Sequence, residues 1–371
     1  MRVIAFNSSS KKELLQFIKF PLSLYSQSKH YVPHLVVERK NFFNPQKNPF
    51  FEHAEVEYYL ALSDRGEILG RISGHVDWNY VQFQEEKVGF FGFFDCVDDV
   101  EVARVLFQNV CDFHRKKGME SVLGPMNFNT NQEVGVLVKG FDSKPFIMMP
   151  YNSPYYPGLI EPCGFVKAKD LYAYWVYYDT IPAVMKRVSE RVKKRSGVYL
   201  RNLDTKNLAS ELELVKKIYN SAWEKNWGFV PMTESEIDYL AHNLKPILDP
   251  SLAFFTYVGD QAVGFFLGLP DYNLVLREVR GRLLPFGLFK LLWGKRNINR
   301  MRILIMGVID EYRHTGIEAV MLEEIYRVTP LRGYIGAELS WILEDNVVMN
   351  KIISRIAREP HKVYRVYRKN L

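Results

Sequence analysis

Between Arg302 and Leu322 the chain runs through an apolar strand pattern (302–309), a charged turn and an amphipathic helix. This order restricts the fold more than any other feature of the sequence. A strand apolar on both faces belongs inside a sheet, not at its rim. The next strand pattern, 334–342, comes only after a helix, so the two strands are expected to lie parallel across a crossover. The strand patterns at 252–258 and 262–269 are instead joined by Gly259-Asp260, a hairpin turn, and are expected to be antiparallel. The result is a mixed sheet with one parallel pair.

The same order of elements occurs earlier in the chain. A strand at 2–6 precedes a helix at 11–27 and a loop-rich stretch with Pro33, Pro45 and Pro49. Strands 56–63 and 68–76 follow, then a strand at 87–96, a helix at 99–117 closed by Gly118, a strand at 120–124, a long irregular segment and a strand pair near 165–177. Residues 181–195 read as a basic amphipathic helix. After Gly197 the pattern restarts with a strand at 198–203, helices 207–225 and 233–246, the hairpin, strand 302–309, helix 316–328, strand 334–342, helix 346–357 and strand 362–368. With 371 residues, the expected organisation is an α/β chain of two similar domains: 1–178, a linker helix at 179–196, and 197–371 with an insertion at 274–302.

The turn after strand 302–309 carries the chemistry. A strand-to-helix turn leaves amides without helical partners, and the helix dipole adds positive potential there. Val308, Ile309, Arg313, His314, Thr315, Gly316 and Ile317 are therefore candidate ligands of a phosphorylated cofactor. Arg313-x-x-Gly316 resembles the pyrophosphate loop of GNAT enzymes, the acyl-CoA-dependent N-acyltransferases. Glu318 stands where that family prefers Gly or Ala, which leaves room for an acyl-carrier-protein donor. The resemblance implies an acyl-CoA or acyl-carrier-protein phosphopantetheine in the gap between strands 302–309 and 334–342. It also implies donor contacts from Asn346 at the next helix start and from Asn350 one turn on, although Asn346 equally suits a helix N-cap. Many GNAT enzymes place an acidic Tyr seven residues after that Asn, and here the position is Ile353.

A general base must reach the attacking amine directly or through water. Glu338, a carboxylate inside an apolar strand, is the first candidate, and pairing with an arginine is the competing reading. Glu311 is the second candidate, with a solvated turn residue as its alternative. Trp223, Asn226, Trp227 and Phe229 lie between two helices where GNAT folds border the acceptor site, or else they pack the core. The first half lacks an Arg-x-x-Gly turn after its strand at 87–96 and is expected to shape the acceptor pocket. Trp223–Met232, Leu269-Pro270-Asp271, Leu284-Pro285-Phe286-Gly287, Glu311-Tyr312-Arg313 and Glu338–Asn350 resemble a tandem-GNAT family that includes bacterial ceramide synthase-type N-acyltransferases. That resemblance implies acyl transfer to an amine, such as a long-chain sphingoid-like base.

The insertion holds Leu283, Leu284, Phe286, Leu288, Phe289, Leu291, Leu292 and Trp293 among arginines and lysines. This composition suits contact with an anionic membrane surface, or a lid. The net charge of +7 suits anionic ligands without the dense basic stripe expected for nucleic acid. Three scattered cysteines, a polar N-terminus and no apolar run of spanning length suggest the cytoplasm, at the inner face of the membrane. The histidines show no metal-ligand spacing, and no metal is expected. An aminoacyl-tRNA-dependent transferase and a non-catalytic module binding lipids or acyl donors are the alternative functions.

Overall fold

The computed structural model describes residues 1–283 and 285–371. Leu284, one of the apolar residues of the insertion, lies outside the described residues. The chain divides into two units: Met1–Tyr172 with Asn273–Lys295 and His361–Leu371, and Ala173–Tyr272 with Arg296–Pro360.

In the first unit the elements are β1 (Arg2–Phe6), α1 (Lys11–Leu24), α2 (Val36–Phe42), β2 (Ala54–Leu62), β3 (Ile68–Asp77), α3 (Trp78–Gln84), β4 (Val88–Cys96), α4 (Val100–Lys116), β5 (Ser121–Gly124), β6 (Val136–Lys139) and α5 (Tyr156–Ile160). β7 (Val166–Tyr177) crosses the division at Tyr172. The second unit holds α6 (Ala183–Ser196), β8 (Val198–Asn202), α7 (Leu208–Trp223), α8 (Glu234–Leu244), β9 (Ala253–Val258) and β10 (Gln261–Pro270). Helices α9 (Asn273–Val279) and α10 (Gly287–Gly294) belong to the first unit. The second resumes with β11 (Arg300–Val308), α11 (Ile317–Leu331), β12 (Gly336–Leu343) and α12 (Val347–Ala357). β13 (Lys362–Asn370) returns to the first.

The first unit's strands run β1-β2-β3-β4-β5-β13, with β6 also on β13. Among the described pairs, β4–β5 is parallel, and β1–β2, β2–β3, β3–β4, β5–β13 and β6–β13 are antiparallel. α4 packs its apolar face on this sheet, with Ala103, Leu106, Phe107 and Val110 almost fully buried. Asp99 caps α4 by accepting from the Glu101 amide. An aromatic cluster of Phe17, Phe43, Tyr58, Phe93 and Phe128 forms a second core in this unit.

The insertion packs within the first unit. Asn273 Nδ2 donates to the carbonyls of Pro145 and Phe146 at 3.0 and 2.8 Å, and the Gly281 carbonyl accepts from the Val36 amide. β13 packs there too, because Arg365 grips Asp170 of β7 through two bonds of 2.8 and 3.1 Å. Two pieces that a contiguous reading gives to the second half therefore fold with the first.

The expected strand pair near 165–177 is a single twelve-residue strand. No glycine or proline breaks it, and Asp170, the residue most suggestive of a turn, is held by Arg365 instead. The irregular segment after β5 contains the short elements β6 and α5. Strand 302–309 begins two residues earlier than expected, at Arg300.

The second unit's sheet runs β12-β11-β10-β9-β8. Its β11–β12 pair is parallel, and the other pairs are antiparallel. The mixed sheet with one parallel pair matches the pattern expected from the crossover.

Candidate functional site

β11 and β12 pair from Arg300↔Gly336 only as far as Ile303↔Leu339. Both strands continue, β11 to Val308 and β12 to Leu343. Beyond Ile303, β11 stays paired to β10, up to Gly264↔Val308. Its other edge from Leu304 onward therefore faces a gap, and Leu304, Ile305 and Met306 are only half-buried. The Ile309 amide donates to the Val263 carbonyl on β10 at 2.9 Å, so it is unavailable to a ligand. Strand alternation turns the Val308 amide to the opposite edge, toward the gap.

A polar cluster lies on the sheet where the β11–β12 pairing ends. Arg302 and Glu338 face each other across the register and are 2% and 0% exposed. Ser340 links them: Arg302 Nε donates to Ser340 Oγ at 3.0 Å, and Ser340 Oγ donates to Glu338 Oε1 at 2.9 Å. The Arg302 guanidinium also lies 4.9 Å from the Trp341 ring centroid. Three polar side chains in an apolar sheet cost too much to bury unless they satisfy one another. Here they do, which accounts for a carboxylate in the middle of β12.

At the open end, the chain passes through a 3-10 turn (Asp310–Tyr312) before α11. His314 and Gly316 adopt left-handed backbone with φ of 63° and 89°. The amides of Arg313 and Thr315 are paired within the turn, at 3.2 and 3.4 Å. Those of His314, Gly316, Ile317 and Glu318 have no partner among the described residues. His314 and Thr315 are exposed, whereas Ile317 is buried. The Thr315 hydroxyl donates to the Tyr312 carbonyl. The turn therefore offers four free donors at the positive end of a fifteen-residue helix.

Arg313 makes other contacts. Its guanidinium donates to the Ala222 carbonyl at the end of α7 and pairs with Asp310 at 2.6 Å. Lys225 also binds Asp310, holding that carboxylate's pKa below its ordinary value through a hydrogen bond. Arg313 thus ties the turn to α7. Glu311 is exposed in the turn.

Asn346 is a helix N-cap, its Oδ1 accepting from the Met349 amide at 3.1 Å. Asn350 Nδ2 donates to the carbonyls of Leu343 and Glu344, and its Oδ1 accepts from Tyr174. Asn350 thus holds the end of β12 against α12, whereas Asn346 caps α12 alone. Ile353, in the place of the expected acid, is 1% exposed.

Trp223 closes α7 and stacks on Tyr219 at 4.9 Å. Phe229 is buried and lies 6.0 Å from Tyr219, and Trp227 and Asn226 are half-buried in the turn that follows. The sequence missed Arg302 and Ser340. An arginine near the start of a strand and a serine two residues after Glu338 carry no pattern of their own.

No helix is long and apolar enough to cross a membrane, and no group of three or more His, Cys, Asp or Glu could hold a metal, among the described residues.

The mixed strand sets of the two units, the second splaying into a strand–turn–helix, define a tandem GNAT-fold acyltransferase. The fold is shared with a tandem GNAT protein from the clavulanic acid biosynthesis pathway (TM-score 0.57, 11% identity, 100% of this chain and 98% of that one). It is shared also with a GCN5-related N-acetyltransferase from Sphaerobacter thermophilus (TM-score 0.53, 13% identity, 99% and 95%). A third match, the GCN5-related glucosamine N-acetyltransferase region of a fungal multi-domain GH3 beta-N-acetylglucosaminidase, has a TM-score of 0.59 at 12% identity. It covers 99% of this chain but only 38% of that longer one.

The chain belongs to the family of Protein YghO from Escherichia coli (strain K12) and the bacterial ceramide synthase of Caulobacter vibrioides (strain NA1000 / CB15N). It is 35% identical to the first over 370 residues (98% of this chain, 94% of the relative) and 37% identical to the second over 369 residues (97% and 95%). No family model matches the chain.

Proposed function

We propose that this acyltransferase moves a long-chain acyl group from a phosphopantetheine thioester to the primary amine of a sphingoid-like base. The observation that carries the reading is the gap between β11 and β12, which opens after Ile303↔Leu339 and ends at the free amides of the turn. A pantetheine arm fits such a gap, with its phosphate on the amides of His314, Gly316, Ile317 and Glu318. The relative named as a bacterial ceramide synthase suggests the acceptor class.

In this reading the amine nitrogen attacks the thioester carbonyl, a C–N bond forms, the C–S bond breaks, and the thiolate leaves and takes a proton from solvent water. The backbone of β11 just beyond the paired region, at the closed end of the gap, polarises the carbonyl. Glu338 is the proton sink and Ser340 its relay. An amine proton passes to Ser340 Oγ as the hydroxyl proton passes to Glu338 Oε1, along the 2.9 Å bond already in place. Asn350 acts by fixing the end of β12, and Asn346 by capping α12. Trp223 and Trp227 border the acceptor side, with Asn226 and Phe229 shaping that turn.

The insertion fits a substrate that resides in a bilayer. Phe286, Phe289 and Trp293 are 70%, 65% and 73% exposed, and Leu288 and Leu292 are also exposed. Lys290, Lys295 and Arg296 surround them. This combination suits shallow seating in an anionic lipid surface.

The test supplies palmitoyl-CoA and, in parallel, palmitoyl-carrier protein with sphinganine in mixed micelles and follows free thiol and N-acyl product. Amine-dependent thiol release with product supports the reading. No thiol release with sphinganine or with a panel of other primary amines overturns it.

A further inference from the structure

Helix α6 carries six cations, Lys186, Arg187, Arg191, Lys193, Lys194 and Arg195, against one carboxylate, Glu190. Its inner face is fixed on α11. A Cβ at Gly316 would come within 2.9 Å of Val188 and 3.1 Å of Val192. Farther along α11, Glu323 accepts from the Ser189 hydroxyl and pairs with Lys193 at 2.6 Å. Helical spacing then puts Arg187, Arg191 and Lys194 in one stripe on the opposite, outward face. All three are exposed and have no ion pair among the described residues.

We infer that this stripe docks an acidic acyl-carrier protein, which sets its phosphopantetheine phosphate at the turn at Gly316 and its acyl group in the gap. The inference rests on the thioester reading above and names its donor. Three observations favour a carrier over free CoA. Arg313 is tied up by Ala222 and Asp310, so the turn brings no free guanidinium to a diphosphate. Glu318 places a carboxylate in the first turn of α11, which disfavours the extra charges of a diphosphate more than the single charge of a carrier's phosphodiester. The third is where the positive charge lies. A helix with its side chains is about 10 Å across, and the Debye length at physiological salt is about 8 Å. Charges on the outer face of α6 are therefore largely screened from a phosphate at the amides. They are well placed for a protein surface resting on that face, where charge complementarity sets encounter rate and orientation.

The experiment compares palmitoyl-carrier protein, palmitoyl-CoA and palmitoyl-phosphopantetheine as donors to sphinganine. It uses the full chain, an Arg187→Glu/Arg191→Glu/Lys194→Glu variant and its all-glutamine counterpart. The expected result is a loss of tenfold or more in kcat/KM for the carrier donor with the glutamate variant and a smaller loss with the glutamine variant. Less than about threefold change is expected for the other two donors. Turnover of the carrier donor by wild type should fall steeply as salt rises. Failure of wild type to use the carrier while it uses palmitoyl-CoA overturns the inference alone, as does a parallel loss on all three donors. Turnover of none of them overturns the acyl-transfer reading and this inference together.

Discussion

The indole of Trp223, the last residue of α7, lies against the backbone of Gly307 in β11. A Cβ on Gly307 would sit 2.2 Å from the ring carbon Cη2 and 2.4 Å from Cζ3. Glycine is present here for close approach, not for backbone freedom, since the residue lies in regular strand. The contact seats α7 on the strand that borders the gap. Gly307→Ala is expected to destabilise the protein by about 1–3 kcal/mol through overpacking. A denaturant melt measures this. In a Trp223→Leu background the same glycine change should cost clearly less, because the ring it strikes is gone. Equal costs in both backgrounds would show that the contact does not set the penalty.

Glu338→Gln tests the relay. A glutamine keeps an oxygen to accept the Ser340 hydroxyl and keeps the shape of the cluster, but it cannot take a proton. The expected outcome is a fall in kcat of about 100-fold or more, within the range supplied by a positioned acid or base. KM for the donor should change little. If Glu338 only braces Arg302, kcat should survive and the loss should appear in the melt, where unpairing one member of a buried charged cluster costs about 3–5 kcal/mol. Measuring kcat and stability on the same variant separates the two roles.

Much of this arrangement could be read from the sequence because it depends on local rules. The strand–turn–helix at 302–322 was legible from apolar periodicity and from Gly316, whose φ of 89° is a conformation that glycine adopts freely. Asn346 was legible as an N-cap. The grouping of β13 with the first unit was not, because Arg365 meets Asp170 across 195 positions of sequence. The same holds for Arg302 and Ser340. Their roles exist only once the parallel register brings β11 beside β12, and single polar residues in a strand do not indicate which neighbour will satisfy them. Arg313 was legible as the turn's cation, but its use on the Ala222 carbonyl depends on where α7 ends.

Two buried histidines of the first unit predict acid sensitivity. His75 is fully buried between sheet and aromatic core, and burial pushes its pKa down to about 3. Burial likewise lowers His114 to about 4. Unfolded, each titrates near 6.5. Between pH 6.5 and these lower values the unfolded chain binds protons that the folded chain refuses. Stability is then fully present above pH 6.5 and is lost as pH falls, by up to about 1.4 kcal/mol per unit for each histidine. Urea melts at pH 7 and pH 5 should show this drop. A His114→Gln variant should show a shallower slope, and an unchanged slope would mean that this histidine titrates alike in both states.

The exposed face of α10 gives the last prediction. A monomeric surface leaving Phe286, Phe289 and Trp293 mostly uncovered forgoes about 1.5–3 kcal/mol for each side chain that could be fully buried. Insertion into the headgroup region recovers part of that energy, and the neighbouring Lys290, Lys295 and Arg296 add attraction to anionic lipid of about 1 kcal/mol each near the surface. The protein is therefore expected to sediment with vesicles containing phosphatidylglycerol and to release on raising salt. It should bind neutral phosphatidylcholine vesicles far less. Phe289→Ser/Trp293→Ser should lower the partition coefficient at least tenfold at fixed salt, and the tryptophan emission of wild type should shift to the blue on binding. Because the substitutions sit on an exposed face, the melt should barely move. A variant that sediments as well as wild type would show that the apolar face meets no lipid, and that the basic residues alone account for any binding.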